Sequence, residues 1–216
     1  MRSEDQLSVH NLSRAYGEYQ ALKPVDFHLD AGDLVTLVGP NGSGKSTLLM
    51  CLSGLLRPTT GVIRVHGFDL YRDERQVRQR LAYVPDVPVF YQELTAWEHL
   101  KFMALAHHAK DGFEQRAEAI MEKFGLWQAR HLFPHAYSRG MRLKLGLALA
   151  MIRPFEVLLL DEPSSALDSE STELLSNKLV ELAAAGSAIL LTTHDLHFSK
   201  QLDAVQWNIR DGAIAF

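Results

Sequence analysis

Hydrophobic and polar positions alternate in LSVHNL (residues 7–12) and VDFHLD (25–30), the period-two pattern of strands with one face covered. The pattern then changes. LVTLVG (34–39), VLLLD (157–161) and AILLTT (188–193) are continuous apolar runs, as expected of strands buried on both faces of a parallel sheet. VIRVHG (62–67), LAYVP (81–85) and VQWNI (205–209) complete the strand signals. Between Asp86 and Pro154 they vanish and helical spacing takes over. Thr95 and Glu98 form a T-x-x-E capping box that opens a helix running to about His108. A second helix is expected over roughly 112–124, ending at Gly125, and a third from about Ser138 to Arg153, stopped by Pro154. The pattern therefore predicts a single α/β domain over residues 1–216. Its core, 1–85 and 155–216, combines a parallel sheet with an N-terminal antiparallel β subdomain, and a helical lobe is inserted at about 86–154.

Composition narrows the class. The chain has 216 residues, 47% of them hydrophobic, enough for one sizeable core. A net charge of −4 argues against bulk electrostatic binding to nucleic acid or to anionic lipid. One cysteine cannot form an internal disulfide, which suits a reducing compartment, and Cys51 reads as a packed small hydrophobe. No apolar run reaches the roughly 18–20 residues that cross a bilayer. The start, MRSEDQLSVHNL, lacks the basic and apolar regions of a signal peptide. The expectation is a cytoplasmic protein that another chain would have to hold at any membrane.

The candidate chemistry begins at GPNGSGKST, residues 39–47, which follows a buried strand and opens a helix. Gly39, Asn41, Gly42, Ser43 and Gly44 would turn backbone N–H groups around a polyphosphate, and the helix N-terminus adds partial positive charge. Lys45 would bridge the outer phosphates, Ser46 would ligate Mg²⁺ and Thr47 would complete the ATP-binding loop. VLLLDEP, residues 157–163, carries Asp161 to the carboxyl end of its strand, the edge where ligands of parallel sheets sit. Asp161 would hold Mg²⁺, directly or through water. Glu162 would polarise the water that attacks the γ-phosphate.

These two motifs predict a nucleotide triphosphatase of unspecified kind. YSRGMRLKLGLALAM (137–151), SALD (165–168), TTH (192–194) and Tyr16 in RAYG, taken in order, make the chain resemble the ATP-binding-cassette (ABC) ATPases over nearly its whole length. The resemblance implies that Tyr16 stacks on adenine. Ser138, Gly140 and Met141 would lie in the signature segment, a Ser-capped helix start that covers the ATP of a second nucleotide-binding domain, identical or different. Asp168 would sit between the two nucleotide sites, and His194 would contact the γ-phosphate.

Two positions depart from the family pattern. Tyr-Ser-Arg-Gly-Met stands where Leu-Ser-Gly-Gly-Gln is usual, so Arg139 either points outward or adds a cationic contact. Asp86 stands where the family has a glutamine that touches Mg²⁺ and responds to the membrane partner. A carboxylate can still serve the ion, through water. Pro-Asp together with YSRGM resembles the ATPase subunits of ABC-2-type exporters, whose membrane-spanning chains are separate. The segment VPVFYQELTAW is crowded with Val89, Phe90, Tyr91 and Trp97, so a membrane subunit is expected to dock near Asp86 to Trp97, with some of these side chains in the lobe's own core. The implied role is a cytoplasmic ATPase, peripheral on the inner face of the membrane. The same engine also drives mechanical complexes for lipoprotein release or cell-wall remodelling, and soluble assembly ATPases are a further alternative. HDLH (194–197) offers only two imidazoles with no cysteine nearby, a poor zinc site, and His107–His108 read as a solvated helix surface.

Overall fold

The computed structural model describes residues 5–216. The chain runs through β1 (Asp5–Tyr16), β2 (Tyr19–Asp30), β3 (Leu34–Val38), α1 (Lys45–Leu52), β4 (Thr60–Val65), β5 (Phe68–Asp69), α2 (Glu74–Arg80) and β6 (Leu81–Val84). Three helices follow: α3 (Ala96–Ala106), α4 (Phe113–Lys123) and α5 (Arg139–Met151). The remainder is β7 (Val157–Asp161), α6 (Ser169–Ala184), β8 (Ala188–Thr193), α7 (Leu196–Gln201), β9 (Val205–Arg210) and β10 (Ala213–Ala215).

Two compact units result. One comprises the chain through Tyr83 together with Phe155–Glu162 and Leu175–Phe216; the other comprises Val84–Pro154 and Pro163–Leu174. The first unit holds both sheets, a four-stranded one in the order β2-β1-β4-β5 and a six-stranded one in the order β10-β9-β3-β8-β7-β6. The first sheet is antiparallel, with Val9 opposite Phe27 on one side and Ile63 on the other. In the second, β3 runs parallel to β8 and β9, β7 runs parallel to β8, and β10 is antiparallel to β9. Every residue of β7 and β8 is buried, which is why their sequences show no alternation. Leu7, Leu29, Leu37, Leu49, Ile63, Leu159 and Leu190 share one core, closed at one side by Trp207 edge-on to Phe27 at 5.1 Å. Cys51 lies in this core, and burial pushes its thiol up to about 11, so it behaves as an inert hydrophobe.

The second unit is helical. Leu100 and Ala104 of α3, Ala117 and Met121 of α4, and Leu143 and Leu147 of α5 are buried where these helices pack. The Thr95 capping box is present: the Glu98 N–H donates to the Thr95 hydroxyl, and the Thr95 N–H donates to the Glu98 carboxylate at 2.8 Å. That bond holds the Glu98 carboxyl below its usual range. Unlike the expected boundaries, the helical unit also takes 163–174, because Gly140, Lys144 and Asp86 all contact that segment. The elements absent from the sequence reading are β5, β10, α2 and α7, which span two, three, seven and six residues, and α6, which spans sixteen. Among the described residues no helix is long and apolar enough to cross a membrane.

Candidate functional site

The loop between β3 and α1 closes around its own backbone. Gly44, which opens α1, has φ +109°, and a Cβ there would lie 2.6 Å from the Ala21 carbonyl oxygen. No side chain fits, so only glycine lets the loop turn into the helix. Lys45 is 6% exposed; its Nζ donates to the carbonyls of Gly39 (2.7 Å) and Pro40 (3.3 Å) and lies 3.6 Å from Glu162 Oε1. An ammonium held only by two carbonyls and one carboxylate is ready to exchange them for phosphate oxygens. Ser43 Oγ is buried without a hydrogen-bond partner among the described residues, an orphaned polar group in the loop that leads into α1. That orphan fits a polyphosphate. Ser46 is exposed at the first turn of α1 and Asp161 ends β7; hydroxyl and carboxylate are the hard oxygen donors that magnesium takes.

The register of β7 on β8 places Asp161 opposite Thr192. The Thr192 hydroxyl donates to Asp161 Oδ1 at 2.6 Å, fixing that buried carboxylate. Thr192 also receives the Glu162 N–H, on its carbonyl at 3.2 Å and its hydroxyl at 3.1 Å. Glu162 is left-handed at φ +48°, a conformation that costs a residue with a Cβ about 1–2 kcal/mol. Strain of this kind persists where the surroundings over-determine it. Here Glu162 Oε1 faces Lys45, while Oε2 accepts from the backbone N–H of His194 (3.2 Å) and lies 2.8 Å from its Nδ1. Since a carboxylate only accepts, His194 Nδ1 carries the shared proton. Thr192 lies in the TTH motif, but the sequence assigned a role only to His194 there.

His194 stands ahead of α7, which Asp195 caps by accepting the His197 and Phe198 N–H groups, so His194 and His197 do not share a helix face. Tyr16, where β1 turns into β2, is half-exposed, and the Arg14 guanidinium lies 4.4 Å from its ring centroid. One aromatic face is thus backed by a cation.

In the helical unit, Ser138 caps α5 by accepting the Met141 N–H at 3.2 Å. A Cβ on Gly140 would lie 2.7 Å from the Ala166 carbonyl oxygen, so this glycine is required by a close backbone approach within the unit. Asp168 Oδ1 accepts the Ser171 N–H at 2.8 Å in the first turn of α6, which holds its carboxyl below the usual range, and Lys144 lies 3.9 Å away. Arg139 is exposed but does not extend freely into solvent. Its Nη2 donates to Asp86 Oδ1 at 3.1 Å, and the Ser165 hydroxyl donates to the same oxygen at 2.8 Å.

The family model described as ABC transporter matches residues 22–165. The chain belongs to the ABC transporter ATP-binding family. It is 37% identical over 197 residues to the uncharacterized ABC transporter ATP-binding protein YxlF of Bacillus subtilis (strain 168), covering 91% of this chain and 65% of that protein, so it spans less than two thirds of this relative. It is 32% identical over 209 residues to the SkfA peptide export ATP-binding protein SkfE of the same organism, covering 96% and 87% of the two chains. A solved ATP-binding subunit of an ABC transporter superposes with a TM-score of 0.90 at 32% identity, over 97% of this chain and 89% of the other. A dimeric bacterial ABC transporter cassette superposes with a TM-score of 0.83 at 25% identity, over 97% of each.

In this ABC cassette the segment after β6 sorts into buried and exposed side chains. Trp97 packs inward, 5.1 Å from Phe113 and 5.9 Å from Trp127 between ring centroids. Val89 is 91% exposed, and Tyr91 and Val87 are also exposed. Sequence reasoning missed His99, which holds this segment. Buried in α3, it accepts the Tyr91 N–H on Nε2 at 3.0 Å, so Nδ1 carries the proton that the Thr95 carbonyl accepts at 2.8 Å. The Tyr91 ring stacks on this imidazole, and Phe90 meets it edge-on.

Proposed function

We propose that this chain binds and hydrolyses ATP with magnesium as one of two paired cassettes, a second copy or a sibling, and drives a separate membrane-spanning chain in the export direction. The pairing of Glu162 with both Lys45 and His194 carries the hydrolytic part of this reading. ATP draws Lys45 from the Gly39 and Pro40 carbonyls to its outer phosphates, and the Ser43 hydroxyl gains the partner it lacks. Gly39, Asn41, Gly42, Gly44 and Thr47 supply the rest of the cradle, and Tyr16 offers its free face to adenine. Ser46 and Asp161 would hold magnesium, with Asp86 joining through water, and the ion would supply charge neutralisation at the phosphates. Glu162, released from Lys45, takes a proton from the attacking water as that water's oxygen bonds to the γ-phosphorus and ADP departs. His194 keeps the Glu162 carboxylate aimed and contacts the γ-phosphate.

Ser138, Gly140 and Met141 cover the partner's ATP, with Asp168 between the two sites; the dimeric cassette supports the pairing itself. The exposed Val89 and Tyr91 receive a short helix of the membrane chain, which keeps the ATPase at the inner face of the membrane. The naming of SkfE for peptide export and the Pro-Asp and Tyr-Ser-Arg-Gly-Met variants support export.

Glu162→Gln is expected to bind ATP, lose roughly 10²–10⁴-fold in turnover, and accumulate as an ATP-bound dimer in size-exclusion chromatography with light scattering. Turnover at the wild-type rate would remove Glu162 as the base. Lys45→Ala is expected to abolish ATP binding or turnover, and retention of both would undo the P-loop assignment.

A further inference from the structure

Three segments of the helical unit meet on one carboxylate oxygen. Asp86 Oδ1 takes the Arg139 Nη2 proton at 3.1 Å and the Ser165 hydroxyl proton at 2.8 Å, and Arg139 Nη2 is itself 3.4 Å from Ser165 Oγ. Asp86 lies three residues before Val89, on the segment exposed for docking. Arg139 is the first residue of α5, directly after the capping Ser138. Ser165 sits next to Ala166, whose carbonyl abuts Gly140, and three residues before Asp168.

Charge explains the pairing. The first turn of α5 has no acidic residue and carries Arg139 and Arg142, cations at the positive end of the helix dipole. Arg139 therefore needs a counter-charge from elsewhere in the chain, and Asp86, 53 positions earlier, supplies it. The pair is half-exposed, so it adds little to stability. A weak, breakable bond suits orientation better than support.

We propose that Asp86 is a positioning residue for the signature turn: through Arg139 and Ser165 it fixes how Ser138 and Gly140 are presented to the partner's ATP, linking the docking segment to that surface within one compact unit. The proposal rests on the paired-cassette reading above. It also accounts for aspartate and arginine together, at two positions where the family has glutamine and glycine. The bulky Arg139 side chain is tolerated beside a phosphate-binding backbone because Asp86 and Ser165 hold it aside.

The test uses the full chain with Glu162→Gln as parent and reads the ATP midpoint for dimerisation, by light scattering, divided by each variant's own ATP dissociation constant. This ratio cancels any effect of Asp86 on nucleotide or metal affinity. Asp86→Asn and Arg139→Gln are each expected to raise it about two- to fivefold, the range of an exposed ion pair. Ser165→Ala should raise it less. The charge-swapped Asp86→Arg/Arg139→Asp chain should return toward the parent, because the Ser165 hydroxyl can accept as well as donate. The difference between parent and Asp86→Asn should shrink as salt rises. A lowered ratio in Asp86→Asn, or no recovery in the swap, overturns the proposal. If the Glu162→Gln parent binds ATP without dimerising, the paired-cassette reading itself has failed, a distinct result.

Discussion

Gly140 is held by geometry as much as by any ligand. Its missing Cβ leaves room for the Ala166 carbonyl oxygen, which a methyl group would approach to 2.7 Å. Backbone on both sides cannot step aside as a flexible side chain would. Gly140→Ala is therefore expected to cost about 1–3 kcal/mol, visible as a lower urea midpoint for the helical unit, followed by the fluorescence of Trp97 and Trp127. An unchanged midpoint would mean that the turn yields freely. Residues also differ in how openly the sequence declares them. Lys45, Asp161 and Glu162 stand in motifs whose spacing states their chemistry. Thr192, though inside TTH, and His99 are given no role by the sequence, because each acts through a hydrogen bond that exists only once strand register or a loop return is set. The direction of Arg139 was equally hidden, since its partner lies far along the chain in no periodic relation to it.

At the scale of elements, the strands buried on both faces and the capped helices were legible because each carries its own periodic pattern or stop signal. The T-x-x-E box appears in the structure with both of its bonds. Elements of two to seven residues were not legible; no period repeats within that length, and pairing with neighbours makes them. The sixteen-residue α6 is long enough to carry a period and was missed all the same. The end of α3 shows what pattern leaves out. His107, read from sequence as a solvated surface residue, is the C-cap of α3, with Nδ1 buried and without a hydrogen-bond partner among the described residues. Burial, and behind it the charges of Arg153 and His108, hold this imidazole down to about 4. An unfolded histidine titrates near about 6.5. Between these values the unfolded chain takes up a proton that the folded chain refuses, so stability falls as pH drops from about 6.5 to about 4 and this loss then levels off. His107→Gln is expected to flatten the pH dependence of the urea midpoint in that window. A wild-type curve already flat there would show that His107 protonates in the folded state.

For the whole molecule, Val89 and Tyr91 form an apolar surface that a water-facing loop has no reason to display, fixed from beneath by His99. Tagged Glu162→Gln protein, incubated with ATP and Mg²⁺ in native detergent-solubilised membranes, is expected to bring down a polytopic chain, identified by mass spectrometry. Val89→Asp should reduce its recovery at least severalfold, since it puts a charge into an apolar contact. A partner with few spans and a large extracytoplasmic domain would point to mechanical work, and recovery of soluble proteins alone would end the transporter reading.

The division of the chain also bears on how such a protein can be cut and rejoined. The backbone passes between its two units four times, at 83/84, 154/155, 162/163 and 174/175. Residues 84–154 therefore look like an insert with two clean ends, but are not one. The carbonyl that abuts Gly140 and the hydroxyl that meets Asp86 arrive from 163–174. A chimera that grafts the lobe of a relative as a single stretch inherits one half of these contacts and leaves the other behind. Lobe and return segment travel as a linked pair, and a chimera keeps these contacts only where 84–154 and 163–174 are exchanged together.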